Sequence, residues 1–213
     1  MAKENCILCA SEKCFSFHVD HLRPYCKCPE CGLVFVPPEH HLSPVEEKRF
    51  YEISPNDSQD DRYKTFLCKL VDPLLGFLSP GWSGLDFGSG TGPTLNLMLE
   101  ERGFPMKIWD PFFAPDRNVL ENQYDFITVS ETAEHFCNPG REWRLLKNLL
   151  RPGGCIGVMT QLLSDESRFP NWQYKNEETH VCFYSRRTFE WIGDWIGLNT
   201  YFFGNSVIVL AES

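Results

Sequence analysis

The stretch from Gly84 to Pro93, GLDFGSGTGP, constrains the fold of this chain more than any other. A short apolar run feeds a turn with glycine at every second position. Beyond it, TLNLMLEERG predicts a helix with Leu95, Met98 and Leu99 on its buried side and Gly103 at its stop. Strand, glycine turn and helix in that order let a ligand approach the backbone closely, because glycine takes positive φ without a side-chain penalty. Nucleotides of several kinds use such a cradle.

The chain around this turn repeats the strand–helix alternation. MKIWD and YDFITV read as strands, REWRLLKNLL as a helix, and GGCIGVMTQ as a strand introduced by RPGG. Alternation of this kind implies an α/β fold with a mostly parallel sheet covered on both faces. The end, TYFFGNSVIVLAE, changes character: two short strands around Gly204-Asn205 predict an antiparallel hairpin at the sheet's edge. Upstream, SPVEEKRFYE through DDRYKTFLCKLVDPLLGFL is helical in pattern, with Phe66, Leu70, Leu74 and Leu75 on one face and Pro73 a possible kink. With 213 residues, 42% hydrophobic and 14% aromatic, the chain can build one substantial core and a small appendage.

Six of the ten cysteines fall within the first 31 residues. CILC and CPEC are two C-x-x-C pairs separated by eighteen residues, the spacing of a four-cysteine zinc site, so Cys6, Cys9, Cys28 and Cys31 are the predicted ligands of a structural Zn²⁺. Gly32, directly after Cys31, suits the turn a metal loop needs. Cys26 competes with Cys28, and Cys14, His18 and His21 lie nearby; a redox dithiol is the rival reading of the pairs. Cys68, Cys137, Cys155 and Cys182 are scattered singly, as inert buried cysteines are. Residues 1–42 carry four Lys/Arg against five acids, too few cations for a phosphate-binding footprint, so a structural clip is favoured over nucleic-acid binding. FVPPEHHLSP reads as a linker, which gives a ribbon over 1–42, a helical linker or lid over 43–80 and a nucleotide-binding domain over 81–213.

The formal charge of −9 argues against broad attraction to nucleic acid or an anionic membrane. No window approaches eighteen uninterrupted apolar residues, and MAKENCILCA lacks the basic flank and apolar run of a secretion signal, so a cytoplasmic protein is expected.

Charge also separates the candidate nucleotides. The dinucleotide fingerprint G-x-G-x-x-G is met only as G-x-G-x-G by Gly88, Gly90 and Gly92, with Pro93 where the last glycine would fall. Asp86 lies two residues before the first glycine, unfavourable beside a doubly anionic pyrophosphate but acceptable beside an ammonium and a sulfonium. A phosphate loop is weaker still, since no Gly-Lys-Ser/Thr follows. Asp110 ends the second strand, twenty residues beyond Gly90, where an acid reaches a ribose diol in either nucleotide class.

Taken with WDPFF, YDFITVSETAEHFCNP, LLRPGG and WQYKNEETHVCFYSRRTFEWI, the glycine segment makes the chain resemble class I S-adenosylmethionine-dependent methyltransferases that carry an N-terminal zinc ribbon. The resemblance runs over nearly the whole length. It implies a Rossmann-like sheet, mostly parallel with an antiparallel C-terminal hairpin, and S-adenosylmethionine as cofactor. It further implies that Gly88, Gly90 and Gly92 admit the methionine part while Asp86 holds its ammonium. Asp110 would take the ribose hydroxyls, Pro111 and Phe112 would flank the adenine, and Ser130 and Glu131 would line the sulfonium end. Only fourteen residues separate Asp110 from Asp125, so the third strand of the family's sheet is abbreviated and no acid is assigned to the adenine amine.

A sulfonium is already a strong methyl donor, so such an enzyme chiefly aligns nucleophile, methyl and sulfur and excludes water. If the acceptor must lose a proton, His180 and His135 are the candidate bases, against a purely structural role for either. Trp172, Tyr174, Phe183 and Tyr184 read equally as an aromatic lid or as core, and Glu131 with Glu134 as a divalent-ion pair or as solvated carboxylates. The expected activity is methyl transfer to a small-molecule acceptor. A catalytically silent cofactor-binding module and an NAD-dependent oxidoreductase are the alternatives; neither the acceptor nor an oligomeric state is legible.

Overall fold

A computed structural model of the chain describes residues 4–53 and 57–212. The strands are β1 (Phe15–Val19), β2 (Pro24–Lys27), β3 (Val34–Phe35), β4 (Gly84–Phe87), β5 (Met106–Trp109), β6 (Tyr124–Ser130), β7 (Leu150–Met159), β8 (Cys182–Phe183), β9 (Asn199–Phe203) and β10 (Val207–Ala211). The helices are α1 (Pro44–Ile53), α2 (Asp61–Leu75), α3 (Leu95–Glu100), α4 (Pro139–Leu149) and α5 (Arg186–Ile196).

Six strands form one sheet in the order β5-β4-β6-β7-β10-β9. Pairings from β5 through β7 are parallel, and β10 runs antiparallel to both β7 and β9. Only the short 3-10 turn Arg117–Glu121 joins β5 to β6, so the sheet ends at β5, in keeping with the abbreviated segment in the sequence. After β4 the chain lays β5 on one side and β6 on the other. That reversal opens a crevice at the carboxyl ends of β4 and β6, where open α/β sheets bind ligands.

Side-chain alternation divides the core between the two faces of the sheet. Phe126, Cys155, Met159, Val207 and Val209 pack with Leu67, Leu70, Val71 and Leu74 of α2 and with Leu95, Met98 and Leu99 of α3. Phe66 and Leu75 sit at the margin of that α2 stripe rather than in its centre. Their sheet neighbours Ile127, Val129, Ile156, Val158, Ile208 and Leu210 face the other way, toward Trp143 and Leu146 of α4 and Phe189 and Ile192 of α5. Asp60 caps α2, and Ser185 caps α5 in a reciprocal box with Thr188.

The N-terminal residues form an antiparallel sheet of order β1-β2-β3-β8. Its fourth strand comes from the far end of the chain: Val34 pairs with Phe183 and Phe35 with Cys182. Cys6, Leu8, Tyr25, Leu33 and Phe35 are buried in the same apolar cluster as α4 and α5, so the ribbon and the larger sheet share a core. Arg23, almost fully buried, donates from its guanidinium to the carbonyls of Lys175 (3.0 Å), Glu177 (2.8 Å), Glu178 (2.6 Å) and His180 (2.7 Å). The ribbon thereby holds the segment leading into β8. Among the described residues no helix is long and apolar enough to cross a membrane.

Candidate active site and cysteine cluster

A cavity of about 780 Å³ occupies the crevice at the carboxyl ends of β4 and β6, within the range that takes small organic ligands. Its floor is the glycine turn. Gly88 (φ +82°) and Gly90 (φ +68°) sit in the left-handed region, and a Cβ on Gly88 would meet the Thr132 side chain at 2.2 Å. Asp110 ties this turn to the end of β5. One of its carboxylate oxygens accepts from Gly90 N at 3.0 Å, the other from Phe112 N and Phe113 N at 2.8 and 3.0 Å.

Gly88, Gly90, Asp110, Pro111, Phe112, Ser130 and Glu131 all line the cavity. Two residues expected with them do not. Gly92 lies beyond the wall, and Asp86 points into the sheet, where its carboxylate accepts from the Thr128 hydroxyl at 2.8 Å. Burial, aided by the charge of Asp110, pushes Asp86 up to about 6. Of the two histidines, His135 lines the cavity, whereas His180 is buried behind it with the ring centroids 4.8 Å apart.

The wall has further members that the sequence reading did not single out. Glu47, Phe50 and Tyr51 reach it from α1 at helical spacing, Tyr63 from α2, and Phe113, Thr132 and Glu177 from loops. Tyr51 packs edge-on against His135 at 5.6 Å and donates to Glu47 at 3.3 Å. Their only sequence signal was the i, i+3, i+4 spacing of Glu47, Phe50 and Tyr51 on a helix that buries no stripe of its own. Trp172, Tyr174, Phe183 and Tyr184 are absent from the wall; Phe183 and Tyr184 are wholly buried, and Trp172 and Tyr174 pack against the same core.

Unpaired polar atoms gather here. The hydroxyls of Ser89 and Ser130, the indole N–H of Trp109 and one oxygen of Glu142 are buried without a partner on cavity residues, and Glu134 Oε2 is unpaired just behind. Such groups are destabilising unless a ligand or water meets them. Glu131 holds the only positive φ of a non-glycine residue in the large domain among those described (+47°). Burial, with Glu134 and Glu177 nearby, pushes its carboxyl up to about 8. Burial also raises Glu134 and holds His135 down to about 4 and His180 below the usual histidine range.

At the other side of α4, Cys6, Cys9, Cys28 and Cys31 converge with all four sulfurs within 4.8 Å of one another. Cys6 and Cys31 approach to 3.5 Å, as do Cys9 and Cys28. Tetrahedral zinc–thiolate bonds of about 2.3 Å set sulfurs at similar separations. Cys14 instead donates to Ser11 O, and Cys26 lies on β2 outside the cluster. The donor set therefore fits the predicted zinc.

An open α/β sheet with a glycine turn, an acid after its second strand and a cavity at its reversal point defines a class I methyltransferase fold. Residues 59–201 match the Methyltransf_23 family, described as a methyltransferase domain, and the chain belongs to it. Among solved structures it resembles the 1,6-didemethyltoxoflavin-N1-methyltransferase of Burkholderia thailandensis, with 14% identity over 93% of this chain and 99% of that one and a TM-score of 0.57. The PH0226 protein from Pyrococcus horikoshii OT3 gives 13% identity, coverage of 78% and 99%, and a TM-score of 0.55. CalO1, a methyltransferase in calicheamicin biosynthesis seen in an SAH-bound form, gives 14%, 68% and 53%, and 0.50. The chain spans only 53% of CalO1 and 58% of an O-methyltransferase family protein from Burkholderia thailandensis. At these identities the likeness is one of fold. No curated protein matches the sequence.

Proposed function

We propose that the chain transfers the methyl group of S-adenosylmethionine to a small-molecule acceptor seated in the cavity under α1, with oxygen, nitrogen or carbon as the atom methylated. The observation that carries this reading is the set of unpaired buried polar groups on Ser89, Trp109 and Ser130 around the glycine turn, which call for a polar ligand there. Bound S-adenosylmethionine supplies an activated methyl on a sulfonium. The chain's task is to position and to exclude water.

In this reading Gly88 and Gly90 admit the methionine part, with Gly92 letting the turn pass into α3. Asp110 takes the ribose hydroxyls through carboxylate lone pairs left over from its backbone bonds, and Pro111 and Phe112 flank the adenine. Ser130 and Glu131 line the sulfonium end. Asp86 acts on the ammonium from below the turn, as a buried charge rather than a direct wall residue. Tyr51 and Phe50 cover the acceptor, and His135 faces it from the cavity wall. Zinc on Cys6, Cys9, Cys28 and Cys31 holds the ribbon that carries Arg23. The cytoplasm is the proposed setting, since a reducing compartment keeps the four clustered thiolates available to zinc.

Calorimetry against S-adenosylmethionine and NADH, followed by incubation of a metabolite extract with methyl-labelled cofactor, tests the reading. Binding of the first nucleotide alone and a labelled small molecule are expected. Binding without any labelled product would leave a silent cofactor module, and binding of NADH instead would overturn the cofactor assignment.

A further inference from the structure

We propose that Glu134, His135 and His180 form a second metal site, which holds a divalent transition-metal ion at the inner wall of the cavity and offers its open positions to an oxygen-bearing acceptor. The proposal deepens the methyltransferase reading and rests on it for the identity of the cavity. One ligand atom from each of the three residues lies within 4.8 Å of the others. A contraction of about 1 Å brings them to the separations that metal–ligand bonds of about 2.0–2.2 Å impose.

The orientation of the rings favours ligation. His135 Nδ1 meets the Thr179 carbonyl at 3.1 Å, and His180 Nδ1 meets the Tyr174 carbonyl at 2.7 Å. A carbonyl only accepts, so each neutral ring carries its proton on Nδ1 and its lone pair on Nε2. A backbone oxygen on the far nitrogen is the usual support of a metal-bound histidine. The carboxylate is arranged to match. Glu134 is fully buried; Oε1 accepts from the Tyr174 hydroxyl at 2.5 Å, and Oε2 has no partner.

A proton relay would be built differently. In a carboxylate–histidine dyad the acid takes the imidazole N–H, but here both N–H groups are spent on the backbone and Glu134 Oε2 is left over. Charge points the same way. Glu131 and Glu177 line the cavity beside the cluster, and among the described residues no lysine or arginine forms a salt bridge with Glu131, Glu134 or Glu177. Several acids around a buried centre suit a cation, and the charge of Lys69 near Glu131 offsets theirs only in part. Two imidazoles and a carboxylate select Zn²⁺, Mn²⁺ or Fe²⁺ over Mg²⁺ or Ca²⁺, and three protein ligands leave positions open. His135 is the member on the cavity wall, so those positions face the acceptor.

Manganese titration followed by electron paramagnetic resonance tests the site, using full-length protein whose cysteine cluster already holds one zinc. One Mn²⁺ per chain is expected, with pulsed spectra showing two imidazole nitrogens coupled to it. H180N and E134Q should each weaken Mn²⁺ binding roughly 10- to 100-fold or more, without loss of the cysteine-bound zinc. No uptake at millimolar Mn²⁺, or uptake without nitrogen coupling, overturns the proposal. The spectra of the wild-type protein decide even if a variant fails to fold. Calorimetry with S-adenosylmethionine on the zinc-only protein separates the two readings: cofactor binding together with no Mn²⁺ uptake sinks the metal site alone, whereas no cofactor binding sinks the cavity assignment beneath it.

Discussion

At Asp86 the cost of burying a carboxylate stands against the proposed role at the cofactor's ammonium. Its folded value of about 6, raised chiefly by burial, stands above the ordinary aspartate value of about 3.9. Between those limits the native state binds more proton than the unfolded chain, so stability falls as pH rises and the full penalty is present above pH 6. The gap corresponds to about 3 kcal/mol. D86N keeps an oxygen for the Thr128 hydroxyl and removes the charge. Urea unfolding at pH 7 should show it about 1–3 kcal/mol more stable than wild type, with a flatter profile between pH 4 and 6, while calorimetry shows weaker S-adenosylmethionine binding. A second test at this scale is G88A, whose methyl would enter the Thr132 side chain at 2.2 Å from a backbone at φ +82°. It should lose about 1–3 kcal/mol of stability from strain alone, and most cofactor affinity with it; an unaltered Kd would remove the glycine turn from the site.

Elements were legible where a local rule fixes them. The hairpin around Gly204-Asn205 and the buried side of α3 both follow from turn chemistry and helical spacing, and both are present. Strand β8 was not legible, because a pair of residues gives no periodicity and its partner β3 lies at the other end of the chain. The contact between α4 and the cysteine loop is another such case. Gly140 N donates to Ile7 O at 3.2 Å, and a Cβ on Gly140 would meet Leu8 O at 2.5 Å. G140A should therefore lift the loop off the helix, destabilising the protein by about 1–3 kcal/mol and loosening zinc. Denaturation monitored together with zinc release to a chromogenic chelator measures both; wild-type zinc retention would show that the helix does not brace the loop.

At the scale of the whole molecule, the ribbon and the catalytic sheet are mechanically joined. Arg23 satisfies four carbonyls of the segment that ends at His180, and hydrogen bonds from a charged donor contribute about 1.5–3 kcal/mol each. R23A leaves those carbonyls unpaired and should cost at least about 3 kcal/mol. R23K, whose compact ammonium lacks the planar fork, should retain zinc yet lower kcat, with faster hydrogen exchange in residues 175–183. Chelating the zinc should reproduce that exchange pattern and abolish methyl transfer. Activity that survives full zinc removal would uncouple the two parts.

The sequence by itself determined the class of fold, the four cysteines and the course of the glycine turn, since each depends on spacing within a few residues or on the chemistry of one residue type. Tertiary structure decided that His135 faces the cavity and His180 stands behind it, that Asp86 turns inward, and that α1 rather than the late aromatics covers the site. Those outcomes depend on contacts between residues 44 apart, as from His135 to Thr179, or 157 apart, as from Arg23 to His180. Periodicity and capping act along the chain. Which distant segments meet is set by strand pairing and shared burial, which no local pattern records.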